Sequence, residues 1–149
     1  MAGATIAVAS DHAGFDLKEM LKSELQEAGY AVLDLGTNST ASVDYPDFGE
    51  ALADAIAAGR AEKGVVICGT GIGISIAANR NRKVRAALAH DATSARLSRE
   101  HNDANVVAFG ARLIGPEVAR EALKVFLATP FAGGRHAQRV AKLSREPKS

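Results

Sequence analysis

The chain has 149 residues, with 18 Lys plus Arg against 17 Asp plus Glu, so its formal net charge is +1. This balance excludes a global basic field that would attract nucleic acid or an anionic membrane, and any anion site must therefore be local. Five Phe, two Tyr and no Trp are too few for a base-stacking surface, and the apolar runs are far shorter than the roughly 20 residues of a membrane-spanning helix.

A chain of this length suits one domain, and we expect residues 1–149 to form it. The only cysteine, Cys68, cannot make an intrachain disulfide. No basic region precedes the short apolar run at the start of the chain, as it would in a secretory signal. We therefore expect a cytoplasmic protein.

Short apolar segments alternate with stretches of helical spacing along the whole chain. The segments that predict buried strands are residues 6–9, 31–35, 65–68, 86–89 and 105–109. Apolar residues at 17, 20, 21, 25 and 28, and again at 48, 52, 55 and 56, predict amphipathic helices. This order predicts a three-layer, doubly wound α/β/α fold of the Rossmann-like type, with a five-stranded, mostly parallel sheet.

The C-terminal third ends in a helix with little apolar surface. Gly115 and Pro116 mark the start of one predicted helix, the glycine-rich segment 130–134 interrupts the pattern, and residues 135–145 predict a last, basic helix. Val140 and Leu143 are almost its only core-type side chains. We expect this helix to pack on a partner subunit, which predicts an oligomer.

Ligands of open α/β sheets bind outside the carboxyl ends of the strands. The predicted strand ends are rich in polar residues at positions 10–12, 68–70, 90–91 and 110–112. Three of the four histidines, His12, His90 and His101, are expected at or near these ends. The site is therefore predicted at this edge of the sheet.

The loop from Gly69 to Gly73 has glycine at alternate positions and fits neither common phosphate motif. The dinucleotide fingerprint fails because its sixth position is isoleucine, and the Walker motif fails because Thr70 stands where lysine is needed. The loop, which includes Gly71, instead predicts a nest of backbone donors for an anion or an oxyanion. The alternative is a tight strand-to-helix turn.

Cys68 lies where the third strand gives way to this loop, which leads into a helix predicted over residues 72–79. A single cysteine in a buried strand usually acts as a small hydrophobic residue. The adjacent N–H donors and the following helix N-terminus favour a thiolate instead, which could abstract a proton or attack a carbonyl. The residues alone leave these roles open.

Other polar residues have two interpretations each. Asp11 with His12 is either a helix cap with an incidental histidine or part of a strand-end site. His101 with Asn102 is either polar loop or a general acid or base near neutral pH. We assign His90 a mainly structural role. The histidine spacing matches no metal motif, so neither a metal nor a cofactor is predicted.

Arg135 and Arg139 share a face of the last helix, since they are four residues apart, and His136 is adjacent. They are either ordinary solvated charges or a phosphate grip that Arg112 could join.

Six segments together resemble one known family, ribose-5-phosphate isomerase type B. They are Ser-Asp-His-Ala-Gly at 10–14, Asp-Tyr-Pro at 44–46, Cys-Gly-Thr-Gly-Ile-Gly-Ile-Ser-Ile-Ala-Ala-Asn at 68–79, Ser-Arg-Glu-His-Asn-Asp-Ala-Asn at 98–105, Ala-Phe-Gly-Ala-Arg at 108–112 and Gly-Gly-Arg-His-Ala-Gln-Arg at 133–139. They span nearly the whole chain in order.

The resemblance implies a metal-independent aldose–ketose isomerase of the pentose phosphate pathway, which interconverts D-ribose 5-phosphate and D-ribulose 5-phosphate through a cis-enediolate. Cys68 would be the base, the glycine loop the enediolate hole, and Thr70 a helper in hydroxyl proton transfer. One branch of the family uses a glutamate where this chain has Ile74, which cannot act as a base.

The resemblance also implies the remaining roles. His101 would open the sugar ring, with Asp11 and Tyr45 nearby and Asn102 on the sugar. The implied phosphate set is His12, Arg112, Arg135, His136 and Arg139. In the family, two subunits of a dimer share each active site, so a homodimer or a dimer of dimers is expected.

Other functions remain open. The same scaffold could isomerise a hexose 6-phosphate such as allose or galactose 6-phosphate, although the galactose enzymes resemble paired, divided subunits and this chain carries the whole motif set. A non-catalytic sugar-phosphate or nucleotide binding module would use the same crevice. Thiol-based hydrolysis is a further alternative.

Overall fold

The computed structural model describes residues 3–146. Strands and helices alternate along the chain, as predicted. The strands are β1 (Thr5–Ser10), β2 (Ala31–Asp34), β3 (Lys63–Cys68), β4 (Ala86–Leu88) and β5 (Val106–Gly110). The helices are α1 (Phe15–Glu27), α2 (Tyr45–Ala57), α3 (Ile72–Ala78), α4 (Ala92–Asn102), α5 (Pro116–Ala128) and α6 (Arg135–Ser144).

The strands form one sheet in the order β2-β1-β3-β5-β4, and every neighbouring pair is parallel. Helices α1, α4 and α5 pack on one face, and α2 and α3 pack on the other. The central strands are near-continuous apolar runs because both of their faces are covered. The predicted three-layer, doubly wound fold is confirmed, with a sheet that is parallel throughout.

Alternation along β3 decides which layer each side chain meets. Val65 and Ile67 belong to the core beneath α1, α4 and α5, whereas Val66 and Cys68 belong to the core beneath α2 and α3. The period of two places the thiol on the side of the sheet where α3 begins. The residue that ends the strand is thus next to the helix that follows it.

The strand order reverses between β1 and β3. From β1 the chain moves outward to β2, then crosses back to β3 and continues to the other side of the sheet. A crevice opens at such a switch point, at the carboxyl ends of the two strands. Ser10 ends β1 and Cys68 ends β3, so both flank this crevice.

Asn79, the C-cap of α3, links this helix to the edge of the sheet. Its side-chain amide donates to the Ala86 carbonyl at 2.9 Å, and its oxygen accepts from the Ala86 N–H at 2.7 Å. These bonds satisfy the outward-facing N–H and carbonyl of Ala86 in β4, which is an edge strand. The side chain therefore closes the sheet edge.

Helix α6 has no buried residue and lies along α4. Its Leu143 is 59% exposed. The weak apolar face that the sequence predicted is therefore present. Within residues 3–146, no helix combines the length and the apolar character that crossing a membrane would require.

Candidate active site

The sulfur of Cys68 lies at the carboxyl end of β3 with a hydrogen-bond donor directed at it. Cys68 is 4% exposed, and its Sγ accepts from the backbone N–H of Gly71 at 3.2 Å. Gly71 has φ of +78° and immediately precedes α3. The left-handed turn at Gly71 aims its amide back at the strand end. A thiol at this position meets an N–H suited to negative charge.

At Gly69 and Gly73 the loop backbone is in close contact with side chains from other elements. A Cβ on Gly69 would lie 3.2 Å from Nη1 of Arg112, and one on Gly73 would lie 2.6 Å from two ring carbons of Tyr45. The Arg112 N–H also donates to the Gly69 carbonyl at 2.9 Å. The guanidinium and the phenol ring therefore both lie against the loop.

Thr70 is exposed at the tip of the loop, and its hydroxyl oxygen accepts from the N–H of Ile72 at 3.1 Å. Gly110 packs so closely beneath it that a Cβ there would lie 2.4 Å from the Thr70 carbonyl oxygen. The end of β5 therefore supports the loop from below.

Asp11 and His12 face the same crevice from the end of β1. Asp11 is buried, and its Oδ1 accepts from the N–H of Gly14 at 3.1 Å. Gly14, not Asp11, is the N-cap of α1, so the aspartate braces the turn before the helix. Nδ1 of His12 accepts from the N–H of Val43 at 3.1 Å.

His101 does not lie at this edge of the sheet, and that prediction was wrong. Helix α4 starts beyond the carboxyl end of β4 and runs back, so His101 and Asn102 lie at the amino edge. The reason is general, because a helix after a parallel strand returns antiparallel to it. The two edges are separated by the five residues of β5, about 3.3 Å each.

The basic residues of α6 gather around His101 at the amino edge. The rings of His101 and His136 stack with centroids 4.5 Å apart and planes 16° apart. Desolvation, and then positive charge on His101 and on two arginines of α6, lower the pKa of His136 below its ordinary value of 6.5. Those arginines are Arg135 and Arg139.

The predicted site residues therefore form two groups. The carboxyl-edge group comprises Asp11, His12, Tyr45, Cys68, Gly69, Thr70, Gly71, Gly73 and Arg112. The amino-edge group comprises His101, Asn102, Arg135, His136 and Arg139. Within one chain the length of the strands keeps the groups apart.

The sequence interpretation missed a buried charge network beneath the crevice. Lys18 has a fully buried side chain, and its Nζ lies 2.8 Å and 2.9 Å from the two carboxylate oxygens of Asp34. Partial burial raises the pKa of Asp34, but hydrogen bonds from Lys18, from the Gly36 amide and from Lys22 outweigh it and leave the pKa below its ordinary value of 3.8. The signal that could have revealed it is helical spacing: Lys18 precedes Leu21 by three residues and therefore lies on the same, inward face of α1.

Val43 was also missed by the sequence interpretation, because the main-chain N–H that it donates to His12 does not depend on residue type.

Among the described residues 3–146, no group of three or more His, Cys, Asp or Glu side chains gathers as it would around a metal ion.

This doubly wound α/β sheet gathers a thiol, an amide donor and a histidine at the carboxyl ends of its strands, which is where proteins of this class bind their ligands. The family model described as Ribose/Galactose Isomerase matches residues 6–143. The chain belongs to this family.

Individual relatives agree with this assignment. A Bacillus subtilis protein named putative sugar phosphate isomerase YwlF is 46% identical over 140 residues, which cover 93% of this chain and 94% of the relative. Escherichia coli ribose-5-phosphate isomerase B is 45% identical over 139 residues, with 93% of each chain covered. The structure of Clostridium thermocellum ribose-5-phosphate isomerase B superposes with a TM-score of 0.93 at 48% identity, covering 94% of this chain and 95% of the other. The resemblance stated from the motifs is confirmed.

Proposed function

We propose that the chain is a ribose-5-phosphate isomerase, which interconverts D-ribose 5-phosphate and D-ribulose 5-phosphate through a cis-enediolate. The observation that carries the proposal is the placement of Cys68 and the Gly71 amide, 3.2 Å apart in the crevice at the strand ends. The Escherichia coli relative that bears this name supports the choice of sugar. The protein would act as a single domain in the cytoplasm, where reducing conditions keep the Cys68 thiol free.

The reaction needs a base that moves one proton between neighbouring carbons. The Cys68 thiolate takes the proton from C2 of the open-chain aldose, and the electron pair of the C–H bond becomes the enediolate double bond as charge moves to the carbonyl oxygen. The loop N–H groups stabilise that charge. The thiol then returns the proton to C1, while Thr70 assists transfer between the two hydroxyl oxygens.

Metal-independent turnover follows from the same chemistry. Charge on an enediolate can be held by oriented amide donors, which then do the work of a Lewis acid. Full activity after exhaustive treatment with a chelator is the expected result.

His101 would open the furanose ring of the substrate, with Asp11 and Tyr45 near the sugar and Asn102 in contact with it.

The two groups of site residues support an oligomer with shared sites. The base and loop lie at one edge of the sheet, and the ring-opening histidine and most of the phosphate set lie at the other. A second copy that places its amino edge over the crevice would complete each site, in a homodimer or a dimer of dimers. Exposed apolar residues on α3 and α6 could be covered in that contact: Ile72 at 48%, Ile76 at 56% and Leu143 at 59%.

A substrate panel tests the function. The purified protein should convert ribose 5-phosphate with kcat/KM well above that for allose or galactose 6-phosphate, and solvent deuterium should enter the carbon that receives the proton. Preference for a hexose phosphate would favour the alternative of a hexose 6-phosphate isomerase, and binding without deuterium exchange would indicate a non-catalytic module.

The variant Cys68→Ala tests the base. General acid–base groups typically accelerate a reaction by about 10²- to 10⁴-fold, so turnover should decrease by a factor in that range while the sugar phosphate still binds. Full activity of Cys68→Ala would exclude the cysteine as the base. Release of inorganic phosphate or a trapped thioester would indicate hydrolysis instead.

A further inference from the structure

The hydrogen bond between His12 and Val43 determines which ring nitrogen of the neutral imidazole carries the proton. The donor is a main-chain N–H, which cannot accept, and it lies 3.1 Å from Nδ1 of His12. Nδ1 must therefore be unprotonated when this bond is made. The neutral ring then carries its hydrogen on Nε2.

The segment that supplies this donor is tied to the end of β1 at two places. At its start, the N–H of Ser10 donates to the Gly36 carbonyl at 2.7 Å, and the N–H of Thr37 donates to the Ser10 carbonyl at 2.8 Å. At its end, Val43 bonds His12, two residues beyond Ser10. The segment 36–43 is therefore a strap fastened across the strand end that carries His12.

The strap is anchored beneath by the buried charge network. Oδ1 of Asp34 accepts from the N–H of Gly36 at 2.9 Å, and the same carboxylate is held by the fully buried Lys18. Between its fastened ends, residues 38–42 are exposed. The ends of the strap are thus fixed to the core while its middle faces solvent.

We propose that Val43 is a positioning residue whose main-chain amide holds His12 in the tautomer with hydrogen on Nε2. His12 then serves the phosphate of the substrate as a neutral, directional hydrogen-bond donor, and the positive charge of the phosphate site comes from arginines such as Arg112. The phosphate part of this inference rests on the proposed function. The tautomer part rests on the hydrogen bond alone.

Long-range ¹H–¹⁵N correlation spectra of the unmodified protein test the tautomer. The spectra are recorded over a range of pH, and the tautomer is read on the basic side, where the ring signals no longer change with pH and the ring is neutral. His12→Gln identifies the His12 signals. We expect Nδ1 at the shift of an unprotonated nitrogen and Nε2 at that of a protonated one. Hydrogen on Nδ1 would overturn the proposal, whether or not the protein is an isomerase.

Val43→Pro removes the donor, and Val43→Ala is the matched control that keeps it. In Val43→Pro we expect a mixture of tautomers and an affinity for inorganic phosphate that is weaker by about twofold, the factor that follows when about half of the molecules carry the competent tautomer. Val43→Ala should retain the tautomer and the affinity. In an active enzyme the proline variant should raise KM and leave kcat within about twofold. The bond to the phosphate is made equally in the bound substrate and in the transition state, so its loss weakens binding without slowing the chemical step.

Two outcomes would contradict the role of Val43. One is an unchanged tautomer in folded Val43→Pro, and the other is equal loss of phosphate affinity in both variants. If Val43→Pro does not fold, the scalar coupling across the hydrogen bond between the Val43 nitrogen and Nδ1 of His12 decides the proposal in the unmodified protein: its presence supports the role of Val43, and its absence overturns it.

Discussion

Gly71 donates its backbone N–H to the sulfur of Cys68 at 3.2 Å, across a turn of only three residues. The turn is possible because Gly71 has φ of +78°, in the left-handed region. A Cβ at this position would lie 2.6 Å from Cδ1 of Leu88 and 2.8 Å from the carbonyl carbon of Phe109. Conformation and contact both require glycine next to the thiol.

Gly71→Ala should therefore lose stability and activity together. The left-handed conformation alone costs roughly 1–2 kcal/mol for a residue with a Cβ, and overpacking against backbone adds about 1–3 kcal/mol. Gly59→Ala is the matched control, because Gly59 has φ of +77° and a Cβ added there would meet nothing within 4 Å. It should show the conformational cost alone.

Urea denaturation and isomerase assays of the two variants make the comparison. Gly71→Ala should be less stable than Gly59→Ala by the packing cost and should lose most turnover, while Gly59→Ala keeps it. Equal stability of the two variants would show that the loop relaxes without disturbing β5, contrary to this account.

Asp34→Asn should lower the free energy of unfolding by about 3 kcal/mol at neutral pH, since it leaves the buried ammonium of Lys18 without its main partner. The folded-state pKa of Asp34 lies below its ordinary value of 3.8. Its charge therefore stabilises the fold above about pH 4, and this contribution is lost as the pH falls through the folded-state pKa. The difference between Asp34→Asn and the unmodified protein should shrink in that acidic range.

Lys22→Met is the control for the charge network. Lys22 lies 3.0 Å from Asp34, but its side chain is 30% exposed, so its loss should cost no more than about 1 kcal/mol. Urea titrations at neutral and acidic pH measure both variants. An Asp34→Asn effect as small as that of Lys22→Met, or one independent of pH, would contradict the buried network.

Arg139→Gln should raise the pKa of His136. Desolvation is the largest cause of the lowered pKa, and the positive charge of Arg139 adds to it, so removing that charge makes protonation easier. Lys142→Gln, on the same helix, should leave the pKa unchanged. NMR titration of the His136 ring measures both, and equal shifts in the two variants would contradict a local effect of Arg139.

The sequence predicted every strand and the edge at which Cys68, Asp11 and His12 meet, because apolar runs and polar strand ends follow directly from a parallel sheet. It misplaced His101, since proximity to β5 along the chain was taken as proximity to the carboxyl edge, whereas His101 lies in α4 and precedes the amino end of β5. The bond from Val43 to His12 joins residues 31 positions apart and involves a backbone donor, so no pattern of residue types could reveal it.

Purified heterodimers test most directly whether two copies share each site. One species pairs a Cys68→Ala chain with a His101→Asn chain, and the other pairs an unmodified chain with a chain carrying both substitutions, each isolated by two affinity tags and assayed from ribose 5-phosphate. If sites are shared across the interface, the first species keeps one intact site and about half of the activity, and the second keeps none. The reverse result, an inactive first species and a half-active second, would contradict the account.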